Sequence, residues 1–227
     1  MTQRASVYCA GPLFTPMERN EMLELATALE GSGYDTFLPQ RDGLELSKCV
    51  EQLVKDGCSS SEASRLMAEA IFALDVYQVL EGCNAVVANL NGRVPDEGTV
   101  SEVAMAWARG KVVVGYKTDS RSVFEGHDNP LVTGLFNFEL CKSLLEVVAA
   151  VGSGLAEANK INAAKKREVE LTRYSWLGGR IWSSLQKDRS IKEIADIIIQ
   201  HKDHPVSATA THRGCPDGSR KVSKVVV

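Results

Sequence analysis

Residues 83–116, CNAVVANLNGRVPDEGTVSEVAMAWARGKVVVGY, constrain the fold of this chain more than any other stretch. The run Ala85-Val86-Val87-Ala88-Asn89-Leu90 is apolar without alternation, the signature of a strand buried on both faces of a parallel sheet. A polar loop with Asp96, Glu97 and Gly98 follows, then an apolar-periodic helix ending at Gly110, then a second buried strand over residues 111–116. Such a strand–loop–helix–strand unit sets the loop acids and Glu102 at the carboxyl end of a sheet, where open α/β folds bind ligands. Acids held there against a helix N-terminus point to carboxylate chemistry rather than phosphate binding.

The same alternation extends on both sides of this unit. Residues 6–10 and 34–38 predict two further strands. Between them an amphipathic helix opens at Thr15 or Pro16, carries Met22, Leu25, Ala26 and Leu29 on one face, and closes at residues 31–33. Helices are expected over residues 46–55 and 62–80, the second capped by Ser61. A fifth strand is expected over residues 135–140 and a closing helix from 142 to about 151. Strands alternating with helices give an α/β fold, doubly wound and flavodoxin-like, with a five-stranded parallel sheet and right-handed crossovers. Gly152-Ser153-Gly154 ends that domain, residues 1–151. A helical extension follows over 152–201, its helices at 156–171 and 191–200 flanking an aromatic stretch at 174–182. Residues 202–227 are expected to form a polar, flexible tail, with four bases against one acid over 211–227.

Several function classes fall away on composition and motif. A net charge of −3 makes no case for binding a nucleic-acid polymer. No window approaches the roughly 18 apolar residues of a membrane span, and the first residues lack the long apolar core of a signal peptide. Six cysteines without a CxxC pair suit small buried hydrophobes in a reducing cytoplasm. Neither GxGxxG nor GxxxxGK[ST] occurs, so no dinucleotide or ATP cofactor is expected. His201 and His204, with Asp203 between, lack a third ligand at metal-site spacing, so no metal is expected either.

Taken alone, Thr99-Val100-Ser101-Glu102 fits the capping box S/T-x-x-E, in which the glutamate ties down a helix N-terminus. Asp96 alone fits a loop aspartate capping the helix, and Asp75 alone fits a solvated acid beside Leu74 and Val76. The context changes these readings. Tyr8-Cys9-Ala10-Gly11-Pro12-Leu13-Phe14, Phe37-Leu38-Pro39-Gln40-Arg41-Asp42-Gly43, Ile71-Phe72-Ala73-Leu74-Asp75, Asn89-Leu90-Asn91-Gly92, Asp96-Glu97-Gly98-Thr99-Val100-Ser101-Glu102 and Tyr116-Lys117-Thr118-Asp119-Ser120-Arg121 occur in that order. Together they resemble the nucleoside 2-deoxyribosyltransferase family.

The resemblance implies a transfer of 2-deoxyribose between nucleobases, with no cofactor. Glu102 matches the family's nucleophile, which attacks C1′ and forms a covalent deoxyribosyl-enzyme through an oxocarbenium-like transition state, with net retention. A helix N-terminus would favour its ionised form. Asp75 matches an aspartate that protonates the departing base. Asp96 matches the residue that holds the sugar 5′-hydroxyl, which implies free nucleosides over nucleotides. Tyr8, Phe14 and Gly98 would line the substrate site, and Gln40 and Asp42 would read the base edge. Asn129 matches an asparagine that a neighbouring subunit supplies, which implies a homo-oligomer with shared sites. The partners implied are 2′-deoxynucleosides and free nucleobases, in nucleotide salvage. The alternatives are an N-glycosidase, in which water replaces the acceptor base, and a non-catalytic nucleotide-sensing scaffold.

Overall fold

The computed structural model describes residues 4–121, 128–158, 163–187, 191, 193, 194 and 196–198. The chain divides into two compact units, residues 1–168 and 169–227. The first unit opens with β1 (Ser6–Ala10) and α1 (Pro16–Gly31), followed by β2 (Asp35–Phe37). Two helices, α2 (Pro39–Asp42) and α3 (Leu46–Lys55), precede α4 (Ser60–Tyr77), which continues as a π-helical turn over Gln78–Gly82. Next come β3 (Ala85–Asn89), α5 (Glu97–Ala108) and β4 (Val112–Tyr116). The unit continues through α6 (Pro130–Thr133), a 3-10 turn over Gly134–Phe136, and α7 (Leu144–Ala158). No helix among the described residues is long and apolar enough to cross a membrane.

All strand pairs are parallel, and the sheet order is β2-β1-β3-β4. Chain direction therefore diverges between β1 and β3, and the crevice beyond their carboxyl ends is the natural ligand site of this topology. Alternation along β1 sends Val7 and Cys9 into a core built with Met22, Leu25 and Leu29 of α1 and Val147 and Val151 of α7. It sends Tyr8 and Ala10 to the opposite face, against Val86 and Ala88 of β3 and Val103 and Ala106 of α5. That parity turns the phenol of Tyr8 toward the helix carrying Glu102.

The helix starts follow local chemistry. At α1 the Glu18 N–H donates to Thr15 Oγ1 at 3.2 Å while the Thr15 N–H donates to Glu18 Oε2 at 2.7 Å, a reciprocal cap with Pro16 at the first helical position.

The fifth strand expected over residues 135–140 does not form among the described residues, where the sheet has four strands. Asn137 and Phe138 sit at φ +54° and +64°, which breaks any extended run. Only Tyr116 and Cys141 form an isolated parallel bridge. The apolar residues that suggested a strand are spent on side-chain packing, with Phe136 and Leu140 closing over Gly115. A Cβ on Gly115 would lie 2.5 Å from Leu140 Cδ2 and 3.0 Å from Phe136 Cγ. Gly115→Val should therefore cost about 1–3 kcal/mol through overpacking, read as a lower urea midpoint; an unchanged midpoint would mean that this contact is slack.

Gly152-Ser153-Gly154 likewise does not end a helix, because α7 runs through it. A Cβ on Gly154 would lie 2.6 Å from Val112 Cγ1. Close helix–sheet approach is the work of that glycine.

Most of α8 (Ala163–Leu185) belongs to the second unit. There the Arg180 guanidinium lies over the Trp176 ring, 5.1 Å from its centroid. Ser184 and Ile197 are buried in the same unit. The basic tail, His201, Asp203 and His204 lie outside the described residues.

Candidate active site

Three elements converge at the crevice between β1 and β3. Tyr8, fully buried on β1, donates its hydroxyl to Glu102 Oε1 at 2.6 Å. Its ring stacks on Phe37 with centroids 5.5 Å apart and an interplanar angle of 19°, which fixes the phenol in line with α5. Glu102 stands in the second turn of α5. Asp75, near the end of α4, completes the group: its charge acts on the phenol, whose pKa is raised first by burial and then by Glu102 and Asp75.

Electrostatics here differ from the expectation of a carboxylate kept ionised by a helix dipole. Burial pushes Glu102 up to about 7; the hydrogen bond from Tyr8 opposes this, and the charges of Asp75 and Asp96 add to it. The dipole acts within the first turn of a helix, and Glu102 lies beyond it. Asp75 is also raised, by burial, with the nearby Tyr8 hydroxyl opposing. Two carboxyl groups with raised pKa values and one phenol between them form a site in which a proton is readily held and passed.

The capping box that Thr99-Val100-Ser101-Glu102 fits when taken alone does not form. Asp96 is the N-cap of α5, and its Oδ2 accepts from the Thr99 N–H at 2.7 Å and from Thr99 Oγ1 at 2.8 Å. Glu102 is thereby free of the cap and turns to Tyr8 instead. Asp96 caps through one oxygen and keeps Oδ1 for another partner. Gly98 leaves the space beside it open, since a Cβ there would lie 3.1 Å from Asp96 Oδ2.

Asp75 lines a cleft of about 150 Å³ with Leu13, Gln40, Leu44, Ile71 and Leu74. Gln40 donates its amide to the Arg19 carbonyl at 2.8 Å, which leaves its own carbonyl oxygen available. Asp42 is more committed: Oδ2 accepts from the Leu38 N–H at 2.8 Å, and both oxygens accept from Arg41. Burial raises its pKa, but Arg41 and the Leu38 N–H outweigh that and hold it below the ordinary value. Phe14 is 77 % exposed. Asn129 stands apart, at the start of α6, where its side-chain oxygen accepts from the Leu131 N–H at 3.0 Å. Tyr8, Asp75, Asp96 and Glu102 are thus one electrostatic group, and no described contact joins Phe14 or Asn129 to it.

Sequence reasoning passed over the frame that holds the loop after β3. Asn89 and Asn91 both donate to Glu21 Oε2, at 3.1 and 3.3 Å. Asn91 Oδ1 accepts from the N–H groups of Thr118 and Asp119, and Asp119 accepts from the Gly92 N–H at 3.1 Å. Two strand-end loops are thereby tied together. Lys117 was also missed: it is 2 % exposed and paired with Asp128 at 2.5 Å.

The family model for nucleoside 2-deoxyribosyltransferases matches residues 7–164. No curated protein matches the chain in sequence. Among solved structures, a conserved protein from Enterococcus faecalis V583 is 22 % identical at a TM-score of 0.52, covering 66 % of this chain and 99 % of its own. That likeness is one of fold. A 2-deoxyribosyltransferase from Bacillus psychrosaccharolyticus is 16 % identical at a TM-score of 0.45, covering 63 % and 90 % of the two chains. One from Leishmania mexicana is 18 % identical at 0.38, covering 64 % and 95 %. With the family model spanning well over half of its length, the chain belongs to the nucleoside 2-deoxyribosyltransferase family.

Proposed function

We propose that the protein transfers 2-deoxyribose from one nucleobase to another through a covalent deoxyribosyl ester of Glu102. The observation that carries this is the 2.6 Å hydrogen bond from a fully buried Tyr8 to Glu102, beside a second carboxyl at Asp75. Tyr8 holds Oε1, so Oε2 is the oxygen that attacks C1′. The C1′–N bond breaks as the new C1′–O bond forms, and the departing base takes a proton from Asp75. An acceptor base then attacks C1′ from the side the first base left, the ester bond to Glu102 breaks, and the proton of the acceptor nitrogen returns to Asp75. Two inversions give net retention. Glu102 must start ionised and Asp75 protonated, and two neighbouring carboxyl groups with raised pKa values are suited to sharing one proton in that way.

Asp96 Oδ1 would accept from the 5′-hydroxyl, Phe14 and Gln40 would meet the base, and Gly98 would leave room for the sugar. Asp42 would contribute by holding the α2 turn. Asn129 would complete the pocket of a second copy, in a cytoplasmic oligomer serving nucleotide salvage.

Deoxyinosine incubated with adenine, and separately with cytosine, tests this, with products separated by HPLC. New deoxynucleosides are expected; free deoxyribose alone would establish hydrolysis instead, and binding without turnover a non-catalytic role. A 5′-monophosphate meets the charge of Asp96 in a poorly solvated site, a repulsion of several kcal/mol. Deoxyinosine monophosphate should therefore be turned over at least about 100-fold less efficiently than deoxyinosine, and equal kcat/KM values would remove Asp96 from the 5′ position.

A further inference from the structure

A lysine is almost never fully buried without a partner, and among the described residues Lys117 has one ionic partner, Asp128. It follows directly on β4, its N–H donates to the Cys141 carbonyl at 3.0 Å, and its ammonium meets Asp128 Oδ1 at 2.5 Å with exposures of 2 % and 13 %. Desolvating both charges is costly, and an apolar pair of the same volume would serve stability as well or better. What an ion pair supplies is direction, which apolar contact lacks.

The direction matters at Asn129, the next residue. Its carbonyl accepts from the Val132 N–H at 2.9 Å and the Thr133 N–H at 3.0 Å, and its side-chain oxygen accepts from the Leu131 N–H. The turn thus engages both acceptor groups of Asn129, while its Nδ2 amide has no partner among the described residues; Leu131, two residues on, is 84 % exposed. A helix of four residues cannot hold its own place. Among the described residues it is held by Lys117 on Asp128 before the helix, by Val132 within it and by Phe136 after it, the last two in the core cluster that also takes Tyr8 and Val103. The apolar contacts hold α6 on the core, while the ion pair ties Asp128, the residue before Asn129, to the residue that follows β4.

We propose that Lys117 is a positioning residue: through Asp128 it fixes where the Nδ2 amide of Asn129 is presented to a bound deoxynucleoside. The proposal rests on the deoxyribosyltransferase reading. Sequence alone gave no hint of it, because a lysine after a strand is ordinarily solvated.

Two variants of the full chain test the proposal. K117M strands the Asp128 carboxylate and can impair folding, so K117L/D128L, which removes both charges and keeps the volume apolar, is the decisive one. Hydrogen exchange at the Leu131, Val132 and Thr133 amides should speed up about tenfold or more in the double variant, with a melting temperature at or above that of the parent. The KM for deoxyinosine should rise about tenfold while kcat stays within about threefold, as expected for a lost binding contact. Unchanged exchange overturns the proposal, and so does faster exchange with an unchanged KM. A parent protein that turns over no deoxynucleoside refutes the transferase reading instead, and the exchange measurement still decides whether Lys117 holds the segment.

Discussion

Glu102→Gln should abolish base exchange and, at alkaline pH, yield a more stable protein. The amide keeps the shape of the side chain and can still accept the hydrogen bond from Tyr8, so the fold loses little. What disappears is the nucleophile, and with it the covalent path; a fall of about 10⁴-fold or more in kcat is the scale expected when a covalent catalyst is removed. Intact-protein mass spectrometry of the parent, quenched during turnover without acceptor, should show the added deoxyribosyl group, and the variant should show none. Stability moves the other way. The pKa of Glu102 is raised from its ordinary 4.5 to about 7, so the folded state holds a proton that the unfolded chain has released between those values. The charge therefore begins to oppose folding as pH rises past about 4.5 and does so fully above about 7. Gln carries no such charge. The variant should match the parent near pH 4 and exceed it at pH 8 by roughly 2–3 kcal/mol. Retention of a tenth of the activity would remove Glu102 as nucleophile, and equal stability at both pH values would remove the buried charge.

The sequence made the sheet legible because its central strands, β1 and β3, are buried on both faces and need no alternation to be recognised. The fifth segment carried the same apolar signal for another reason. Phe136 and Leu140 are apolar in order to cover Gly115, and hydrophobicity cannot distinguish covering a strand edge from extending it. The glycines of α7 misled in the same way, since close packing on Val112 and a helix break call for the same residue. In the site, Glu102 stood out only against the ordered set of motifs. Locally, Asp96 and Thr99 are equally good caps, and which one starts α5 decides whether Glu102 is spent on the helix end. The frame of Glu21, Asn89, Asn91 and Asp119 was within reach, because both asparagines fell in a motif already singled out. The pairing of Lys117 was not, because burial of a charge depends on what the rest of the chain lays over it.

Tyr8→Phe should shift the pH dependence of transfer rather than merely weaken it. The ring can keep its stack on Phe37 at 5.5 Å, so packing is preserved, while the hydrogen bond to Glu102 is lost. Three influences on Glu102 raise its pKa, namely burial, Asp75 and Asp96, and the Tyr8 hydroxyl alone lowers it. A hydrogen bond to a charged group contributes about 1.5–3 kcal/mol, which corresponds to an upward displacement of roughly 1–2 pH units once it is gone. The acidic limb of kcat/KM, expected near pH 7 in the parent, should move to about 8–9. At pH 7 the variant should then be about 5–50-fold slower, yet recover to within a few-fold of the parent at pH 9.5, once the carboxyl is ionised again. Asp75→Asn makes the complementary case, because removing a neighbouring negative charge lowers the pKa of Glu102 and should move the same limb downward, although loss of the acid lowers the plateau. The two carboxyl groups titrate as a pair, so opposite displacements by Tyr8→Phe and Asp75→Asn carry more weight than either limb alone. A limb that stays in place in Tyr8→Phe, at any level of activity, would mean that the phenol only packs and that Glu102 is held ionised by something else.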